Sequence, residues 1–165
     1  MRYLICVFLF AGSAAAAQRV TLDSLDVLAG NAGSTTAVDL PQDMLSLAGP
    51  FLGEGSEEAV ARELLANIEG MYVRVFEDLV YSGSDLDAVR AQLVGTGWTR
   101  MVTVDEDEDE IGIWMYRDGD AVTGMFILVA EPDEVVAVNI VGRLDPEDLA
   151  ALGGRFGVPA LDFLQ

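Results

Sequence analysis

WTRMVTVDEDEDEIGIWMYRDGDAVTGMFILVAEPDEVVAVNIV, residues 98–141, decides the fold. It contains four runs rich in β-branched and aromatic residues: Trp98 to Val104, Ile111 to Arg117, Val122 to Ala130 and Val135 to Val141. Side chains of this kind fit a pleated, half-buried surface, so each run predicts a strand. The runs are joined by the acidic segment 105–110, by Asp118-Gly119-Asp120 and by Glu131-Pro132-Asp133. Connections this short leave no room for a crossover helix, so neighbouring strands must pair antiparallel, and Asp118-Gly119 has the residues of a type I′ hairpin turn. The segment predicts a meander.

Upstream, Met71, Val73 and Val75 alternate with Tyr72, Arg74 and Phe76, a period of two that adds a further strand. Helical spacing appears elsewhere. Leu22, Leu25 and Leu28 recur behind Thr21, a candidate cap, and stop at Gly30; Pro41 opens a turn through Met44 and Leu45. Ser56, Glu57 and Glu58 precede Val60, Leu64 and Ile68, a stripe that Gly70 closes. Ser84 and Asp87 have capping-box spacing ahead of Leu86, Val89 and Leu93. Asp145 before Pro146 starts a last helix with Leu149 and Leu152 on its apolar side. Between the first two helices, 31–36 reads as a loop and Ala37 to Leu40 as a brief strand. The order predicts an α+β fold: an antiparallel sheet of about five strands with helices packed on one face. VTGMFILVA and VVAVNIV are apolar at nearly every position, so the second face needs a cover too: segment 20–52, the tail from Phe156 to Leu164, or another subunit.

The first 17 residues differ from the rest. Arg2, an apolar stretch from Tyr3 to Gly12 and alanines ending at Ala17 form a secretory signal, with Ala15 and Ala17 at the small-residue positions and cleavage ahead of Gln18. The apolar stretch is too short to span a bilayer, which takes about 20 residues. Cys6, the sole cysteine, sits inside that stretch, away from the cleavage point where a lipid anchor would be attached. The organisation expected is therefore a signal at 1–17, a helical and loop segment at 18–55, an α+β core at 56–153 and a tail at 154–165, in the periplasm or secreted.

Composition removes whole classes of function. The net charge of −19 lacks the basic footprint that phosphate backbones and anionic lipid surfaces require, and it suits a medium of high ionic strength. All nine positive side chains are arginine; lysine and histidine are absent, and cleavage removes the cysteine. Ser-His-Asp and Cys-His pairs, Schiff bases, thiolate or imidazole zinc sites and disulfides are then unavailable. No cofactor is expected. Asp, Glu, Tyr, Ser, Thr, Asn and Arg remain.

Within that vocabulary the run 105–110, DEDEDE, stands out. Asp105, Asp107 and Asp109 are candidate calcium ligands, since hard cations take several oxygens. An EF-hand loop counted from Asp105 would need glycine at Glu110 and glutamate at Tyr116, and has neither. The simpler reading is a solvated hairpin tip whose charges discourage edge association. A carboxylate pair beside Trp98, Trp114 and Tyr116 would meet the requirements of a glycan hydrolase, although aromatics on strands more often pack. Asn139, Arg74 and Arg143 sit in or beside strands, where a buried amide or guanidinium needs partners.

NIEGMYVRVFEDL, then Gly97-Trp98, an acidic strand pair, and finally VVAVNIVGRLDPEDLAAL carry a resemblance. Over about residues 38–152 the chain resembles the bacterial family called domain of unknown function 4252. That resemblance implies an exported or lipid-anchored envelope protein with no assigned activity, and it brings no catalytic residues. The combined expectation is a non-catalytic binding or accessory module that contacts an envelope protein or a small ligand, or a second copy through the sheet face. A carboxylate-based glycan hydrolase and a calcium-binding protein are the alternatives.

Overall fold

The computed structural model describes residues 19–47, 62–63, 65–95, 97–106 and 109–145. A 3-10 turn at Leu22–Leu25 leads into α1 (Asp26–Ala29); β1 (Ser34–Pro41) and α2 (Gln42–Ser46) follow. The helical residues 62–63 and 65–67 form α3. Then come β2 (Ile68–Glu77), a 3-10 turn at Gly83–Leu86 with α4 (Asp87–Gln92), β3 (Trp98–Glu106), β4 (Asp109–Asp118), β5 (Ala121–Ala130) and β6 (Glu134–Leu144). All six strands form one antiparallel sheet in the order β1-β2-β6-β5-β4-β3. The meander from β3 to β6 is as expected; β2 adds to its β6 edge and β1 closes on β2.

The sheet has six strands rather than about five because β1 is a full member, running from Ser34 instead of Ala37. Its Ser-Thr-Thr start is exposed and polar, so only the stretch with Val38 and Leu40 shows an apolar alternation. Strand β2 likewise begins at Ile68, inside the helix expected from the Val60-Leu64-Ile68 spacing. Ile68 is buried from the strand, opposite Gly142, at an irregularity in register between Ile68 and Gly70. The capping box ahead of α4 lies two residues earlier than its predicted place: the Asp85 carboxylate accepts the Ser82 backbone N–H at 2.8 Å.

Helices pack on both faces, which corrects the one-sided arrangement. Cross-strand partners share a face, so Phe76, Val135, Ala130 and Ala137, Leu128 lie on one side with Phe126 and Trp114. Leu22, Leu25 and Leu28 from the N-terminal segment and Leu86, Val89 and Leu93 from α4 complete this larger core cluster. At roughly 1.5–3 kcal/mol for each large apolar side chain removed from water, these six residues hold both segments down. Ile113, Met125 and Ile140 point the other way, one residue out of step, and meet Leu45 of α2 and Leu65 of α3. Of the covers considered for the second face, part of segment 20–52 contributes α2, while the Phe156–Leu164 tail, the predicted helix after Asp145 and residues 1–17 lie outside the described residues.

Asn139 is the one polar residue in the buried set among the described residues. Its Oδ1 accepts the Val20 N–H at 3.0 Å and its Nδ2 donates to the Met125 carbonyl at 3.1 Å. Gln92 of α4 holds the next residue from both sides, its Oε1 accepting the Thr21 N–H at 2.8 Å and its Nε2 donating to the Thr21 carbonyl at 3.0 Å. Thr21 therefore makes no side-chain cap; its backbone is tied across the molecule instead.

Candidate functional site

Polar side chains converge most densely where α4 crosses the end of the β3–β4 hairpin. The i,i+3,i+7 stripe of Leu86, Val89 and Leu93 seats α4 on the sheet and leaves Arg90 on the flank that faces β4. Arg90 donates to the Gly83 carbonyl at 2.8 Å and to Oε2 of Glu110. Arg100 on β3 donates to the other oxygen, Oε1, at 3.0 Å, and its guanidinium stacks 4.7 Å from the Trp114 ring. An open depression of about 390 Å³ lies beside this cluster, walled by Tyr81, Arg90, Glu110 and Pro132. Tyr81 donates from its hydroxyl to the Glu131 carbonyl at 2.8 Å, and burial pushes its phenol above the usual tyrosine range.

This geometry has a chemical consequence. Each Glu110 oxygen accepts from a guanidinium group, so the carboxylate ties α4, β3 and β4 together and its charge is already paired.

A second polar cluster lies at the opposite edge. Arg74 of β2 binds both oxygens of Asp39 on β1, at 2.7 and 3.3 Å, and Arg19 lies 3.9 Å over the Tyr72 ring. The Arg74 hydrogen bond holds the Asp39 carboxyl below the usual aspartate range. A depressed folded-state pKa contributes stability that is present above the ordinary value of 3.8 and lost as pH falls through the lowered one. The Asp39 side chain is 54% exposed, so the pair contributes under about 1 kcal/mol. Asp39→Asn is expected to lower the urea midpoint slightly at pH 7, with the gap to the parent chain closing in strong acid; an equal gap at both pH values would show that the ion pair is not its cause.

Both described ends of the acidic run are paired strand. Asp105 lies opposite Glu110 and Glu106 opposite Asp109, so β3 and β4 extend into the segment predicted as a loop. Asp109 is exposed, while Asp107 lies outside the described residues. Among the described residues no group of three or more acidic side chains is placed to hold a metal ion. Ala15, Ala17 and Gln18, the cleavage residues, also lie outside the described residues. Trp98 and Trp114 are in the larger core cluster with Tyr116 packed against it; Trp98 meets Tyr116 edge-on at 5.4 Å and Trp114 tilts on Phe126 at 5.9 Å. The three aromatics pack into the core. Arg74 and Asn139 have the partners their positions demand, and Arg143 is exposed beside a smaller depression.

The residues that converge, Tyr81, Arg90, Arg100 and Glu110, were not singled out from the sequence. The available signal was scarcity: with nine arginines against 28 acids, a guanidinium on a helix that packs on a sheet has a carboxylate waiting for it.

Fold and clusters together define a single-sheet antiparallel α+β domain tied by arginine–carboxylate pairs, with no helix among the described residues long and apolar enough to cross a membrane. The chain belongs to the family described as domain of unknown function (DUF4252), whose model matches residues 30–152 and so takes in all six strands. No curated protein and no solved structure matches it.

Proposed function

We propose that this protein is an exported, non-catalytic module of the bacterial envelope that acts by contact with a protein of that compartment or with a small ligand. The observation that carries the reading is where its polar chemistry goes. In a chain without lysine or histidine, Glu110 is occupied by two arginines, Arg74 by Asp39, and Asn139 by two backbone groups. These are the ties of a scaffold, and they leave shape and surface charge as its means of action. The export part rests on the sequence of residues 1–17; Arg19, which stacks on Tyr72, and Val20, which bonds Asn139, would remain with the domain after cleavage ahead of Gln18.

Expression of the full chain in a bacterium with an export pathway tests both parts. The periplasmic fraction is expected to yield protein beginning at Gln18 that recovers the same envelope component in repeated captures and turns over no glycan in a substrate panel. Retention of residues 1–17 overturns export. Glycan turnover lost on a single carboxylate replacement overturns the non-catalytic reading, and a melting temperature that rises with calcium replaces it with an ion-binding one.

A further inference from the structure

The sheet has two ends, β1 and β3, and they are unlike. Strand β3 carries Arg100, Asp105 and Glu106, and its register breaks between Arg100 and Val102. Charges and bulges are the devices that stop an edge from recruiting another strand. Strand β1 has no bulge and a single charge along its length. Its register with β2 runs unbroken from Ser34 to Pro41, its proline comes last, and Asp39, its one charge, is neutralised by Arg74 at 2.7 Å. Ser34 to Ala37 are all exposed.

We infer that β1 pairs with the β1 of a second copy of this chain, antiparallel about a twofold axis at Val38, joining two six-stranded sheets into one. Among the described residues no strand pairs with the outer edge of β1; such a backbone edge demands an extended strand as its occupant, and several features favour the same strand. Twofold pairing keeps each face continuous when residues of equal parity meet. With the axis at Val38, Val38 meets Val38 and Thr36 meets Leu40 on the face that carries Val73 and Met71; Ala37 meets Asp39 on the other. The two Asp39 carboxylates then stand apart, whereas an axis at Asp39 would oppose them directly. Among the described residues, three of the six exposed large apolar side chains also lie next to β1 along the chain: Val27 in α1, Met44 in α2 and Leu47 just after it. The rest of a chain of net charge −19 repels its copy, so β1 is the neutral strip through which approach is least opposed. This inference goes beyond the contact reading above and stands or falls separately from it.

Sedimentation equilibrium on exported protein from the full chain carrying Cys6→Ser tests it. A dimer is expected whose dissociation constant falls as NaCl rises from roughly 0.05 to 1 M, since salt screens the repulsion. Val38→Lys places two ammonium groups side by side and is expected to raise that constant at least about tenfold with unchanged circular dichroism. Val38→Cys is expected to form a disulfide-linked dimer under mild oxidation, while Thr36→Cys and Ala37→Cys do not. If the lysine variant fails to fold, the cysteine series decides. A chain that stays monomeric at every salt concentration overturns the pairing, as does a dimer indifferent to Val38→Lys or cross-linked equally well at Ala37.

Discussion

Gly142→Ala is expected to cost about 3 kcal/mol or more, a large part of the 5–15 kcal/mol that holds a typical domain together. Two separate effects add. Gly142 has φ +141°, a backbone conformation that side chains resist at about 1–3 kcal/mol. A Cβ there would also stand 2.3 Å from the Asn67 carbonyl oxygen and 2.7 Å from the Ile68 Cα. Those are backbone atoms at the start of β2, where the chain leaves α3 and enters the sheet, so no side-chain rotation relieves the overlap and overpacking adds about 1–3 kcal/mol. Gly119 supplies the control. It sits in the β4–β5 turn with φ +62° and nothing within 4 Å of its would-be Cβ, so Gly119→Ala carries the conformational cost alone, about 1–2 kcal/mol. Urea unfolding of the two variants checks the difference. Equal midpoints would mean that the approach of β2 to β6 at Gly142 is not tight.

That junction also shows where sequence reasoning stopped. The β3–β6 meander was legible because each strand carries its own β-rich composition and its turns carry turn residues, both local properties. The start of β2 was not. Val60, Leu64 and Ile68 have helical spacing, yet Ile68 is in the sheet because a glycine 74 positions later lets the backbone come close. Nothing between residues 60 and 70 encodes that partner. Strand β1 was legible only in part: Ala37 to Leu40 stood out, while Ser34 to Thr36 are exposed and carry no apolar side chain to mark them. Among the polar residues, Arg74 and Asn139 were legible as groups needing partners because both lie inside strands. Arg90 and Glu110 were not, since their meeting depends on the path of α4 over the sheet. The stretch DEDEDE drew attention by charge density, while the acid that organises the site is its last residue, held by two arginines that the run does not advertise.

Asn139→Leu is expected to cost about 1–4 kcal/mol, because a side chain of similar size removes two hydrogen bonds at once. The Val20 N–H would remain buried without its acceptor, at about 1–3 kcal/mol, and the Met125 carbonyl, which also lies in the ladder of a central strand, would lose its amide donor at about 0.5–1.5 kcal/mol, offset in part by the added apolar surface. Asn139→Asp separates the two bonds. A carboxylate still accepts from Val20 but cannot donate to Met125, and it carries a charge in a fully buried position. Burial raises the pKa of such a carboxyl above its unfolded value. Its variant is then most stable below the ordinary aspartate pKa, where the protonated group donates to Met125, and loses stability as pH rises through the raised value. The leucine variant should show no such slope. Loss of the Val20 bond also has a place as well as a size. Val20 and Thr21 are the points where the N-terminal segment is tied to β6 and α4, and Leu22, Leu25 and Leu28 follow directly into the larger core. Hydrogen exchange in the leucine variant should therefore quicken first at Val20 and along residues 22–29, ahead of the central strands. Uniform quickening across the sheet would mean that Asn139 stabilises the core as a whole and does not serve as the anchor of the N-terminal segment.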